Sequence, residues 1–178
     1  ALEARAKALR PLVTRPLCLI EIGDARHLRA FGYDSLFGST LDRLGLPNGW
    51  TGQTEFSFLA PVPLERLADF PEATLVVVGP VAPAVRRALS RSVLWRALPA
   101  VAGGRVFQLP RVNPFGGAPS ALRFAAALQS ALRGYKEINL RAMKKLAPGG
   151  VLATYSCSHH VTAEVFRDMV AEAAHDAK

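Results

Sequence analysis

Cys157-Ser158-His159-His160 is the densest grouping of reactive side chains in the sequence, and its residue types allow two kinds of chemistry. A cysteine thiolate is a nucleophile, and a cysteine with two histidines offers ligands of the type zinc takes. The cluster lacks the second ligand pair of a structural zinc site, so no metal is expected. A second grouping is suited to contact rather than bond making. Asn48-Gly49-Trp50-Thr51-Gly52 reads as a tight turn that leaves a large aromatic near a loop, where an indole serves as an apolar wall with one N–H donor. The alternative for Trp50 is a partly buried loop residue packed on a sheet. The other cysteine, Cys18, lies in an apolar run and reads as a small core residue; two distant cysteines leave a Cys18–Cys157 disulfide open.

The elements that must position these groups are visible as patterns. Asp34 or Ser35 can cap a helix whose apolar residues Leu36, Phe37, Thr40, Leu41 and Leu44 share one face, with Gly45 and Pro47 to stop it. The unalternating apolar runs 17–22 and 74–78 suit strands covered on both faces, and 105–109 reads as a third. Helical patterns occupy 1–9, 62–70, 83–90 and 118–133. Strands alternating with helices argue for an α/β three-layer sandwich with a mainly parallel sheet. Beyond it, 135–146 reads as a helix ended by Pro148-Gly149-Gly150, 151–156 as a strand, and Val165, Phe166, Met169, Val170 and Ala173 as the apolar face of a closing helix capped by Thr162. That is an α-β-α extension, expected to dock on the same sheet as an added strand plus helix.

At 178 residues, half of them hydrophobic, the chain can bury one sizeable core. No window has the roughly 18 to 20 apolar residues that span a bilayer, and the start shows no charged-then-apolar export signal. Seven of the eight net positive charges fall in residues 1–133, yet the arginines are scattered and Arg86-Arg87 is the only adjacent pair. A solvated basic surface is therefore the expectation, with no nucleic-acid partner. Composition changes near residue 133: the first part holds 15 Arg, one Lys and 12 of 13 Pro, and the rest four Lys, two Arg and one Pro.

Two resemblances match this division. Phe31-Gly32, Ser35-Leu36-Phe37, Leu41-Asp42, Leu44-Gly45, Pro47-Asn48, Trp50 and Gly52, followed by an aromatic loop and Leu64-Glu65-Arg66-Leu67, resemble the C-terminal lobe of periplasmic iron-siderophore binding proteins of the ferric hydroxamate type, the soluble receptors of ABC importers. The likeness covers roughly residues 1–133. From Gly134-Tyr135-Lys136-Glu137-Ile138-Asn139 to Ser156-Cys157-Ser158-His159-His160 the sequence is similar to the end of a class I S-adenosylmethionine-dependent RNA cytosine-5 methyltransferase. The chain looks like a chimera, with 1–133 a siderophore-receptor lobe and 134–178 a methyltransferase-derived tail.

The first resemblance implies a ferric hydroxamate ligand, with iron present only in the chelate and no other cofactor, and a periplasmic location. Trp50 matches a ligand-facing tryptophan. A second family tryptophan falls at Ser57, beside Phe58. Phe115 stands where the family has a tyrosine, and Asn113 replaces another aromatic. Glu65 matches the acid with which a lobe docks on the permease. A lone lobe implies weak or absent binding, because whole receptors enclose the chelate between two. The second resemblance makes Cys157 a remnant of a base-attacking cysteine. The glycine-rich cofactor loop, the ribose-binding acid and the Asp-Pro-Pro loop are missing, so an enzyme is not expected; the alternatives are a truncated methyltransferase fragment or a folded, inactive fusion. The joint expectation is that Trp50 and Phe115 share the exposed C-terminal edge of the sheet, with Glu65 exposed near one end of a short helix, on the rim beside that pocket.

Overall fold

Two apolar runs too hydrophobic to face water on either side make the centre of the fold. The computed structural model describes residues 2–54, 59–154, 167, 170, 171, 173–175 and 177. Strands β1 (Leu17–Ile22), β2 (His27–Phe31), β3 (Leu59–Pro63), β4 (Thr74–Val78) and β5 (Val106–Leu109) form one sheet in the order β3-β2-β1-β4-β5. β1 pairs in parallel with β4, and β4 with β5, while β2 is antiparallel to both neighbours, so four of the five strands point the same way. The expected α/β sandwich with a mainly parallel sheet is what forms.

Alternation along the central strands divides the core in two. Leu17 and Leu19 of β1, with Val76 and Val78 of β4, face helices α1 (Leu2–Leu9), α2 (Leu36–Leu44) and α6 (Gly117–Lys144). Cys18, Ile20, Leu75 and Val77 face the opposite layer of α3 (Pro83–Arg91), α4 (Val93–Ala97), α5 (Pro99–Ala102) and the 3-10 turns Leu64–Asp69. On the first face Phe37 meets Phe31 edge-on at 5.1 Å and Phe124 at 4.8 Å, tying β2, α2 and α6 together. On the second, burial pushes the free Cys18 thiol up to about 12, so it is inert as a nucleophile.

Helix α2 starts and stops as its sequence predicts. Ser35 is the cap, its Oγ accepting from the Gly38 N–H at 2.8 Å and donating to the Gly32 carbonyl at 2.7 Å. Gly45 ends it in the left-handed conformation at φ 68°, where the Arg10 side chain covers it and donates to the Leu44 carbonyl at 3.0 Å.

Three expectations are corrected. Residues 62–70 are not one helix: Val62 and Pro63 finish β3, and the 3-10 turns begin at Leu64. Pro61 and Pro63 lie two apart, so both missing N–H groups fall on one side of an edge strand, the place where a sheet tolerates proline. The helices expected at 118–133 and 135–146 are a single α6 that runs unbroken from Gly117 to Lys144. Of the expected tail strand 151–156, Val151–Thr154 are not in a strand among the described residues, Val151 is 90% exposed, and Tyr155 and Ser156 lie outside the described residues. The physical reason is length. A helix of 28 residues extends about 42 Å at 1.5 Å per residue, roughly twice the reach of a five- or six-residue strand. The closing helix is represented by Arg167, Val170, Ala171 and 173–175, with Ala173 buried; Thr162, Val165, Phe166 and Met169 lie outside the described residues. β2, β3, α4 and α5 have no counterpart among the expected elements.

Gly134 lies inside α6, and a Cβ built there meets nothing within 4 Å. Glycine in a helix interior costs about 0.5–1 kcal/mol relative to alanine. Gly134→Ala is expected to raise stability by about that amount in urea unfolding; a loss of stability would show that the helix does not run straight through this point.

Candidate ligand-binding site

A partly enclosed cavity opens where the three parallel strands end. Glu21 comes from β1, Val78, Gly79 and Pro80 from the end of β4, and Arg111 to Pro114 from the loop after β5, with Phe31 and Phe37 as its floor; its volume is about 360 Å³. Open α/β sheets bind ligands at this edge because the helices leave it uncovered. Gly79 makes the turn with φ 90°, donating its N–H to the Leu109 carbonyl at 3.2 Å and accepting from Gln108 Nε2 at 3.3 Å. Glu21 pairs with Arg29 across the β1–β2 ladder at 3.1 Å. Arg111 is exposed at the mouth. The lining is mainly apolar with a few charged and amide groups, the composition of a binding site for an organic ligand.

Asn113 shapes the loop. Its Oδ1 accepts from the Phe115 N–H at 2.9 Å, an Asx turn, and Gly117 at φ 58° turns the chain into α6. The Phe115 ring is left 72% exposed, which places Asn113 and Phe115 at the expected edge.

Trp50 is elsewhere, and the exposed position expected for it is corrected. Its side chain is only 2% exposed and belongs to the core layer on the α3–α5 face, with its ring 5.2 Å from that of Phe70. The cause is Asn48. Asn48 Nδ2 donates to the Phe31 carbonyl at 3.0 Å, its Oδ1 accepts from the Trp50 N–H at 3.0 Å, and its N–H donates to the Tyr33 hydroxyl at 3.3 Å. Leu17, the first residue of β1, donates to the Pro47 carbonyl and accepts from the Gly49 N–H, each at 2.9 Å. The turn is thus bound to the beginning of β1, and the indole folds under the sheet. The ring and Gly52, where a Cβ would come within 2.9 Å of the indole, line a shallower depression of about 550 Å³ with Gly32 to Asp34 and Thr51 to Thr54. The indole Nε1 has no hydrogen-bond partner among the described residues. The anticipated pair of converging rings, Trp50 and Phe115, is not formed.

Glu65 is exposed in the first turn of Leu64–Asp69, and Arg66 pairs with Asp69 beside it. Ser57, Phe58 and Cys157 lie outside the described residues. No cluster of three or more potential metal ligands occurs among the described residues. Glu21, Arg111, Phe31 and Phe37 were missed by sequence reasoning. The available signal for Glu21 was its place as the one charged residue in a central apolar strand, Leu17-Cys18-Leu19-Ile20-Glu21-Ile22.

Removing the Asn48 side chain leaves the Trp50 N–H and Phe31 carbonyl buried without partners. Asn48→Ala is expected to cost about 1–3 kcal/mol in equilibrium unfolding, and Asn48→Asp to be no better, because a carboxylate cannot donate to Phe31. Full stability of either variant would remove Asn48 from its anchoring role.

No protein-family model matches the chain. The iron(3+)-hydroxamate-binding protein FhuD of Escherichia coli K12 is 36% identical over 120 residues, which is 67% of this chain and 40% of that protein. A second, partly overlapping segment is similar to ribosomal RNA large subunit methyltransferase I: 42% identical over 74 residues for Cronobacter sakazakii, and 49% over 59 residues for Pseudoalteromonas atlantica, covering 18% and 15% of those proteins. The FhuD match and the longer methyltransferase match together exceed the length of the chain, so the two likenesses share residues. Among solved structures, Fe3+-Desferal-bound FhuD of Vibrio cholerae superposes with TM-score 0.62 at 23% identity, over 74% of this chain and 52% of that one. FeuA of Bacillus subtilis, complexed with ferri-bacillibactin, gives 0.59 at 19%, over 75% and 51%. The chain spans about two fifths of FhuD and less than a fifth of the methyltransferases. It has the fold of siderophore-binding proteins and resembles FhuD over two thirds of its length, with a further segment similar to a ribosomal RNA methyltransferase: an apparent chimera of the two.

Proposed function

We propose that the chain is one lobe of a periplasmic substrate-binding protein for iron-siderophore uptake, and that the C-terminal edge of its sheet forms half of a ferric hydroxamate site. The observation that carries this reading is the Phe115 ring, held out by the Asn113 turn beside a largely apolar cavity of about 360 Å³. The FhuD likeness supplies the ligand class. Phe115 offers an aromatic wall to the organic arms of the chelate, and Asn113 and Arg111 offer amide and guanidinium donors to its oxygens. Trp50 contributes only by holding its own turn, 48–52, in place, and Ser57 and Phe58 are further proposed contacts on the strength of the resemblance alone. A lone lobe covers only one side of the chelate, so binding is weak.

Titration calorimetry with ferric desferrioxamine is expected to show saturable binding that Phe115→Ala weakens by about tenfold, the usual loss on truncating a central aromatic anchor. Unchanged affinity in Phe115→Ala would displace the site from this edge. The methyltransferase-like segment motivates the competing reading, a fragment of an RNA-modifying enzyme, and saturable binding of S-adenosylmethionine with none of the ferric chelate would establish it instead.

Glu65 is proposed as the contact to an ABC permease. It is exposed on a short turn anchored by the buried Leu64 and Leu67, where a charge steers and orients an encounter with a cationic pocket. Glu65→Ala is expected to lower the association rate with reconstituted permease several-fold while leaving chelate affinity untouched; equal rates would remove the docking role.

A further inference from the structure

Between Glu72 and Glu137 the sequence has no acidic residue, yet it carries eight arginines and a lysine. Half of those arginines gather on two consecutive helices. Arg86, Arg87 and Arg91 are exposed on α3 and Arg96 on α4, and none of the four is in an ion pair among the described residues. The helices are pinned from beneath by Leu89 and Trp95, both buried in the core, so the basic side is turned outward. At the junction between the helices Ser92 caps α4 and Val93 stands 73% exposed, with Leu94 half-buried beside it. In the same layer Leu64–Asp69 carries two acids, Glu65 and Asp69, of which Asp69 is already paired with Arg66.

We propose that this face is a peripheral contact for an anionic phospholipid bilayer, with Arg86, Arg87, Arg91 and Arg96 on the headgroup phosphates and Val93 dipping below them. Arginines around an exposed aliphatic tip match a lipid interface, which offers phosphate to the guanidinium groups and acyl chain to the valine. A nucleic acid would satisfy the charge but not the tip, since single strands are held by stacking on aromatic rings and the one aromatic of this face, Trp95, is 3% exposed. No helix among the described residues is long and apolar enough to cross a membrane, so the contact is one of adsorption. This face is distinct from the Phe115 edge, and the proposal does not depend on the ligand reading.

The test is co-sedimentation of the full chain with phosphatidylcholine vesicles, alone or mixed with phosphatidylglycerol at two to one. Partition onto the mixed vesicles only is expected, reversed by high salt because the charges are exposed. Each arginine removed is worth about fivefold in partition at an anionic surface, so R87Q/R91Q is expected to lose more than tenfold with an unchanged melting temperature, and Val93→Ser to weaken partition with the charge intact. Equal partition onto neutral vesicles, no partition onto either, or undiminished binding by R87Q/R91Q would overturn the proposal. So would retention of single-stranded RNA by the same arginines in the absence of vesicle binding.

Discussion

The parallel pairing of β1 with β4 is the constraint from which the rest of the architecture follows. Leu17, Cys18, Leu19 and Ile20 lie opposite Thr74, Leu75, Val76 and Val77, and nearly every side chain in the two strands is buried. Parallel neighbours cannot be joined by a tight turn, so the chain must cross over between them. The crossover from β1 to β4 contains β2, α2 and β3, and it places α2 on one face. The crossover from β4 to β5 contains α3, α4 and α5 and covers the other. Both sides of the central pair are thereby dry, while the ends of β1, β4 and β5 stay open to each other. The candidate site is the gap that this connectivity leaves.

A polar side chain decides where the largest aromatic goes. The Asn48 side chain joins the end of β2 to the turn after α2, and its neighbours Pro47 and Gly49 bond that turn to the start of β1, through hydrogen bonds that water cannot replace once they are buried. With that turn fixed, Trp50 has the sheet beneath it and Phe70 beside it, and burying its ring is favourable by an amount comparable to any other core aromatic. Phe115 meets the opposite condition. The Asx turn of Asn113 and the positive φ of Gly117 lift it away from α6 before the helix begins, and the core beneath is already filled by Val112 and Phe124.

The change in composition near residue 133 has no counterpart in the backbone, because α6 continues through it. Helix propagation needs only compatible residues, and 134–144 supplies them with the single weak point of Gly134. What lies past Lys144 is different. Pro148-Gly149-Gly150 turns the chain, Gly149 at φ 80°, into a stretch whose Val151 faces water. Val151–Thr154 have the apolar character of a strand without forming one among the described residues.

The sequence by itself determined the elements whose signals are local or two-sided: the Ser35 cap and Gly45 stop of α2, the unalternating runs of β1 and β4, the start of α3 at Pro83, and the resemblance carried by the order of short motifs from Phe31 to Leu67. It also placed Glu65 on the outside of a short turn, since an isolated charge has no reason to be buried there. Tertiary structure decided the rest. β2 and β3 alternate weakly and contain charge or proline, so only pairing to β1 makes them strands. Which aromatics reach the surface depended on hydrogen bonds between residues 17 and 32 apart in the chain, such as Asn48 to Phe31 and Gly49 to Leu17. The joining of Glu21, Phe31, Val78 and Asn113 into one cavity depended on the order of strands in the sheet. Local patterns record what a residue prefers; who its neighbours become is settled only when distant strands pair and exclude water from both faces at once.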